Sequence, residues 1–450
     1  MDDGGGLRGL DRCDGGESGP CSHNRFVSVM MDSVRTLRIL PVGNGACSVL
    51  RDAPMISSVA FDDYVSIIDC GRGSRGGRKA ARYLEGELSR RDWDSLQSIV
   101  VTHWDADHWN GLRYIADNWP RTAKTTKQTL LLYSPAIPFG FPSRFPAGVT
   151  ALISATSASG IEAIDFAKAW SEHFDVVRKP VARGDTIDVA GQAYQVVWPP
   201  RTLGGTVVEK AKSILDQIEK IAHTNPEFRE LLEDAYSRVP EGPFGNADPD
   251  DSDLPEPLSS LFDDTHGNAA GAGTGISPGA QHEEGEEDWE DEEDWEDEGN
   301  WNGADPRSSM TTDAMPSMPT EKPQKVILNK RTHEALIRDA RKLQNDLSLV
   351  FHDSGGQTLV VYGDAPPSVV EALVPELHAS YDVQLAPHHG THAMPPNAPF
   401  SRICVAQCNP KQRDMWRNHN RATDIDLAIS DYEPGGIQIL LAPWWSRFPI

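Results

Sequence analysis

The sequence contains no apolar run near the ~20 residues needed to cross a bilayer. Its first 33 residues, rich in Gly and Asp, lack the apolar core of a secretion signal. Its six cysteines (Cys13, Cys21, Cys47, Cys70, Cys404 and Cys408) form no CxxC pair and are too sparse for a disulfide framework. No GxSxG elbow with a Ser-His-Asp arrangement is visible, so a covalent serine mechanism is not supported. Together these absences exclude a membrane span, a secreted disulfide scaffold and a zinc finger. They predict a cytoplasmic protein in a reducing compartment. Residues 1–33 read as a disordered leader, in which Met30 or Met31 could be the start.

Basic residues are missing from one long stretch. Residues 246–306 hold 21 Asp and Glu and no Lys or Arg, so the formal charge of −25 belongs there. The remainder, 46 acidic against 42 basic residues, is nearly neutral. The stretch contains a hexapeptide duplication, Glu287-Asp-Trp-Glu-Asp-Glu292 followed by Glu293-Asp-Trp-Glu-Asp-Glu298. It cannot bury enough apolar surface to fold, so we read it as disordered, either a polyanion that competes with acidic substrates for the basic loop at Arg72–Lys79 or, through its Trp-centred repeats, a docking motif for a basic protein partner.

What the sequence does have is a concentration of metal-ligand types in Thr102-His-Trp-Asp-Ala-Asp-His-Trp-Asn-Gly111. The preceding Ser98–Thr102 is an apolar, β-branched strand, and a helix is predicted from Leu112. Side chains two apart on extended chain share a face, so His103 and Asp105 can meet on one ion. Asp107 and His108, on the turn beyond, can meet on a second. Mixed imidazole and carboxylate donors suit zinc first, with manganese or iron as alternatives.

Other segments fall around this one. Val34–Pro41 alternates as a strand, and Gly43-Asn-Gly45 turns it into Ala46–Leu50. Tyr64–Gly71 is a strand whose Asp69 either orients the ligand loop through hydrogen bonds or is a strand-end turn residue. Arg72-Gly-Ser-Arg-Gly-Gly-Arg-Lys79 opens a helix to about Arg91. It is either an anion site, with Arg72 and Arg75 binding substrate, or a charged surface loop. Further strands are predicted at 130–133, 174–178, 185–189 and 194–198, with a helix over 160–173. Residues 345–351, 358–365 and 381–386 are apolar strands leading to Asp364 and to Pro387-His-His-Gly-Thr391.

The order of these motifs resembles the metallo-β-lactamase superfamily, in the HxDxDHxxG variant of the hydrolase domain of ComEC-type competence proteins and their soluble relatives. Val42-Gly-Asn-Gly-Ala-Cys47 is similar to the family's VGQGDA, with Ala46 where the family has Asp. Trp198-Pro-Pro200, Asn345–Phe351, Tyr362-Gly-Asp364, His388-His-Gly390 and Thr423–Leu440 resemble its LxPP, NxxSLVL, LLTGD, HHGS and closing TDxxGxI elements.

The resemblance implies an α/β fold, the αβ/βα four-layer sandwich, interrupted by a long helical and disordered acidic insertion. The expected layout is a leader (1–33), a first part (34–200), the insertion (201–345, helical at both ends) and a second part (346–450). It implies up to two divalent ions held by His103, Asp105, Asp107, His108, Asp364 and His388, with Asp364 bridging. Asp107 would act as proton acceptor and His389 would assist catalysis. His392 is extra to the pattern and reads as a surface residue. No histidine follows Trp198, where much of the family has a ligand, and His223 and His266 are too far along to replace it. The implied activity is a hydrolase using a metal-activated water on a phosphodiester or other anionic substrate, nucleic acid or nucleotide included. The alternatives are a lactonase or esterase on the same fold, or a non-enzymatic binding protein.

Overall fold

The computed structural model describes residues 33–54, 64–73, 76–119, 128–156, 166–237, 327–355, 357–419 and 423–441. Residues 1–32 and 238–326, and with them the leader and the acidic stretch, lie outside the described residues, as does Arg75.

Two seven-stranded sheets face each other. The first contains β1 (Ser33–Ile39), β2 (Cys47–Pro54), β3 (Tyr64–Cys70), β4 (Leu96–Val100), β5 (Thr129–Pro135), β6 (Asp175–Val181) and the last strand, β14 (Ile437–Leu441), in the order β14-β1-β2-β3-β4-β5-β6. The second contains β7 (Thr186–Val189), β8 (Gln192–Trp198), β9 (Val350–Asp353), β10 (Leu359–Val361), β11 (Ser380–Leu385), β12 (Phe400–Ala406) and β13 (Thr423–Ala428), in the order β13-β12-β11-β10-β9-β8-β7. Alternating residues of both sheets, among them Leu37, Ile68, Val100, Val196, Phe351, Val361 and Val383, fill the space between them. The outer face of the first sheet is covered by α1 (Gly77–Glu87), α2 (Arg90–Asp94), α3 (Ala106–Asp117) and α5 (Phe166–Ser171). The outer face of the second is covered by α9 (Pro367–Leu373) and α10 (Pro410–Asn418). This is the expected four-layer sandwich.

Helix α3 shows why the layers hold. Trp109, Leu112, Ile115 and Ala116 fall on one face and are buried against α1 and β3. Each large apolar side chain so buried contributes about 1.5–3 kcal/mol. The parallel β3-β4-β5-β6 ladder brings its strand exits to the same edge of the sandwich as the exits of β10 and β11. There Leu349 N–H donates to the Thr102 carbonyl at 2.7 Å and ties the two sheets together.

Three features differ from the sequence reading. Residues 423–440 are two strands rather than one closing element. β13 edges the second sheet and β14 pairs with β1 in the first, separated by a turn at Ile429–Tyr432. Second, Phe145–Thr156 is a helix, α4, that its Pro146, Gly148 and β-branched content conceals. Third, the helical stretch after Trp198 is two helices, α6 (Gly205–Thr224) and α7 (Pro226–Ser237). They pack with α4 and with α8 (Lys330–Asn345) around one core, so helices before and inside the interruption form one bundle. No helix among the described residues is long and apolar enough to cross a membrane.

Candidate metal centre

Five chain segments deliver polar side chains to the shared edge. β3 ends at Asp69, which sits at φ 52°. Its Oδ1 accepts from Thr102 N–H at 2.7 Å, and its Oδ2 accepts from Thr102 Oγ1 at 2.7 Å and from His108 Nδ1 at 2.9 Å. Of the two roles open to Asp69, orientation of the ligand loop is the one its contacts display. Because Nδ1 of His108 is engaged, only its Nε2 is presented to the cluster.

The loop 102–105 then turns into α3. Gly71 is indispensable here: a Cβ on it would lie 2.3 Å from the Asp107 carbonyl carbon and 2.5 Å from His108 N. Ala46 stands where the family pattern has Asp, and its main chain does the holding. Its N–H donates to the Asp107 carbonyl at 3.0 Å and its carbonyl accepts from Gly71 N–H at 2.9 Å.

From the second sheet, Gly363 at φ 55° packs against Thr102, and Asp364 N–H donates to Ser348 Oγ at 3.2 Å. His388 N–H donates to the Gly363 carbonyl at 2.9 Å, joining the two ligand-bearing turns. His388 and His389 both occupy the left-handed region, at φ 46° and 56°. Non-glycine residues there cost of order 1–3 kcal/mol each, and such strain gathers at functional sites.

The side chains converge closely. His108 Nε2 lies 3.3 Å from His389 Nε2, 3.2 Å from Asp364 Oδ1 and 3.9 Å from Asp107 Oδ1. His389 Nε2 lies 3.1 Å from Asp107 Oδ2 and 3.8 Å from Asp364 Oδ2. His103 Nε2 and His388 Nε2 approach Asp364 Oδ2 at 3.7 and 3.5 Å. His103-Asp107-His108 and His108-Asp364-His389 are each compact enough to hold one ion. A tetrahedral centre with ligands about 2.0–2.1 Å away separates adjacent ligand atoms by about 3.3 Å, and the shortest of these separations, 3.1–3.3 Å, match it. Both ring nitrogens of His103 are buried without a hydrogen-bond partner. An unpaired buried imidazole is costly in an apolar setting and ordinary in a metal site, so the residues fit a metal.

Charges in the cluster are strongly coupled. Burial opposes ionisation of His108, but Asp364, Asp69 and Asp107 together drive its pKa well above the ordinary value. Burial would raise the carboxyls of Asp107 and Asp364, yet the surrounding imidazoles hold both well below the usual carboxylate range. His389, disfavoured by burial, is raised by Asp364 and Asp107, while burial pushes His103 and His388 down.

The other candidates are placed as follows. Asp105, expected beside His103 on an ion, caps α3: Oδ1 accepts from Ala106 N–H at 2.9 Å, and Oδ2 stands 3.7 Å from Arg341 Nε. It belongs to neither compact ligand group. His389, expected to assist catalysis from beside the ligands, stands inside one of those groups. His392 is not a free surface residue. It is half-buried, with Nε2 2.9 Å from His388 Nδ1. The main chain of Arg72 is fixed by Asn110, whose Oδ1 accepts from Arg72 N–H and whose Nδ2 donates to the Arg72 and Gly73 carbonyls. His223 is exposed on α6, away from either ligand group, and His266 lies outside the described residues. Sequence reading gave Thr102 and Arg341 no role and took His392 for a surface residue.

The family model of the metallo-beta-lactamase superfamily matches residues 55–197. The match contains His103, Asp105, Asp107 and His108 and ends before Asp364, His388 and His389, which the fold brings to the same place. A comparison with curated proteins gives no match. The family and the clustered side chains together support a metal-dependent hydrolase.

Proposed function

We propose, from the match of residues 55–197 to the metallo-β-lactamase superfamily, a phosphodiesterase that uses one or two divalent transition ions. The observation that carries this reading is the buried convergence of imidazole nitrogens and carboxylate oxygens at ligand-to-ligand spacing around His108. His103, Asp107, His108, Asp364, His388 and His389 are the side chains that would hold the ions. Their mixed nitrogen and oxygen donors suit zinc, with manganese or iron as alternatives. A divalent ion held there would supply Lewis acidity toward a phosphoryl oxygen and toward water.

The protein's own groups do the rest. Asp69 and Thr102 fix the tautomer and direction of His108. Asp107, kept ionised by its imidazole neighbours, orients the attacking water and accepts its proton. His389 Nε2, 3.1 Å from Asp107 Oδ2, serves either as an ion ligand or as the group that takes that proton onward, since its one lone pair cannot do both. Asp105, which caps α3 through its Oδ1, stands with His388 outside the two compact groups. Arg72, next to the glycine that abuts Asp107 and His108, binds the substrate anion. The four described cysteines outside the leader are buried free thiols, in keeping with a reducing, cytoplasmic setting.

The test is metal analysis of the purified protein alongside hydrolysis of bis(p-nitrophenyl) phosphate, a lactone and a carboxylic ester. Bound transition metal with diester cleavage that chelation abolishes is the expected result. Metal-dependent cleavage of the lactone or ester alone would replace the phosphodiesterase reading. A protein that arrives without metal and binds none on titration would overturn it.

A further inference from the structure

Each sheet carries part of the candidate ligand set, and one side-chain amide crosses between them. Gln407, the residue after β12, is buried. Its Oε1 accepts from Cys47 N–H of β2 at 3.0 Å, and its Nε2 donates to Ser48 Oγ at 3.2 Å. Cys47 and Ser48 are themselves buried. We propose that Gln407 is a positioning residue of the metal centre: from the second sheet it holds the main chain that fixes Asp107. This rests on the metal-centre reading and deepens it, by naming a residue on which the ligand geometry depends and which is not itself a candidate ligand.

The need for an outside acceptor arises locally. Where β1 runs out, Leu40 N–H still donates to the Cys47 carbonyl at 2.9 Å, but the Leu40 carbonyl is taken by Val42 N–H at 2.9 Å. The Cys47 N–H thus lies where the ladder between β1 and β2 opens, and a buried N–H left unpaired is costly. Gln407 supplies the acceptor. The next residue toward the loop is the one that bears on the centre. Ala46 N–H donates to the Asp107 carbonyl at 3.0 Å, and the Ala46 carbonyl accepts from Gly71 N–H at 2.9 Å. Gly71 in turn packs against the main chain of Asp107 and His108 too closely to admit a Cβ. A shift of Cys47 therefore passes to Ala46 and, through its N–H, to the first turn of α3, which carries Asp107.

A second amide strengthens the grip. Gln412, in the first turn of α10, donates from Nε2 to Asn44 Oδ1 at 2.9 Å. Residues 44, 47 and 48 are thus all held from the stretch 407–412, and Gln407 reaches Cys47 across 360 positions of chain. With Ala at 46, no polar side chain braces the loop from that position, so its main chain must be set by its neighbours. An amide suits the task. It offers an acceptor and a donor at fixed spacing, and being uncharged it can be buried without a counterion.

The test uses the full chain with Gln407→Leu, similar in size but unable to accept from Cys47 N–H, and Gln407→Glu, whose carboxylate still accepts it. Gln407→Asn, one methylene shorter, reads the same loss should the Leu variant not fold. Zinc affinity is measured by competition with a chromophoric chelator in these proteins, in Asp107→Ala and in the Gln407→Leu/Asp107→Ala double variant. Melts of the metal-free proteins are recorded alongside. Gln407→Leu should bind zinc about tenfold more weakly, the low end for loss of a group that orients a ligand. Gln407→Glu should recover most of that loss, even where its buried charge lowers the melting temperature. In the Asp107→Ala background, Gln407→Leu should weaken zinc binding no further, because its effect passes through Asp107. A merely structural loss would add in full. At saturating zinc, kcat of the Leu variant on bis(p-nitrophenyl) phosphate should fall with KM unchanged. Unaltered zinc affinity in Gln407→Leu, or full additivity with Asp107→Ala, would overturn the positioning role, as would a wild type that binds no zinc. A wild type that shows this coupling in zinc binding yet cleaves no diester would instead sink the phosphodiesterase reading and leave the role of Gln407 standing.

Discussion

Asp69 Oδ2 accepts a 2.9 Å hydrogen bond from His108 Nδ1, and this one contact decides which nitrogen His108 turns toward the cluster. The same carboxylate holds Thr102 through both main chain and hydroxyl, so it also fixes the loop that carries His103. Asp69→Ala should weaken metal binding about 10–100-fold, the usual effect of removing a group that orients a ligand. It should also cost about 1–3 kcal/mol, because the buried Thr102 N–H loses its acceptor. Competitive metal titration and a urea melt check the two effects separately. A variant with unaltered metal affinity would show that His108 keeps its orientation without Asp69.

Asp107 and His389 should fail in different ways from a surface pair. Asp107→Ala removes a candidate ligand and the proposed proton acceptor, and turnover should drop by at least the ~10²–10⁴-fold associated with lost proton transfer. His389→Ala should lower metal content along with turnover, because its Nε2 stands among the ligand atoms. Metal analysis of His389→Ala is the deciding measurement. Full occupancy with slow turnover would return His389 to a purely proton-transferring role.

His392 positions His388. For His388 Nε2 to face Asp364, its Nδ1–H must donate, and His392 Nε2 is the acceptor at 2.9 Å. Burial holds the pKa of His392 down to about 3, so it stays neutral and able to accept. His392→Ala should weaken metal binding about tenfold, and His392→Gln, whose amide oxygen can accept, should restore most of the loss. Equal affinity in wild type, Ala and Gln variants would remove the positioning role.

Asp346, at the end of α8, gives a stability prediction away from the metal centre. Burial raises its carboxyl to about 6, with Lys210 and Lys342 pulling the other way, and the helix C-terminus also disfavours a negative charge. Since the native pKa lies above the unfolded one, the folded state holds the extra proton. That contribution is complete below the unfolded value near 4 and disappears as pH rises through about 6. Wild type should therefore gain on going from pH 7 to pH 5 relative to Asp346→Asn, and the Asn variant should be the more stable at pH 7. The difference should be about 1–2 kcal/mol after allowance for solvent screening. Denaturant melts of both proteins at the two pH values test this, and parallel behaviour would show that Asp346 titrates normally.

The sequence by itself determined the ligand types and the order in which they occur. The run from His103 to His108, the Gly-Asp at 364 and the His-His-Gly at 388 follow apolar strands whose periodicity is legible, because β-strand burial leaves a local pattern. The four-layer class of the fold was legible through the resemblance of these motifs, in their order, to the metallo-β-lactamase superfamily. Tertiary structure decided which of those residues meet. Asp105 and Asp107 are two apart on the chain and read alike, but the start of α3 turns one into a helix cap facing Arg341 and the other into the cluster. Strand pairing across hundreds of residues sent residues 423–428 and 437–441 to different sheets. It also brought His389 within 3.3 Å of His108, 281 positions away. Those outcomes depend on backbone turns and inter-sheet packing, whose energies come from partners remote in sequence and so leave no local pattern to read.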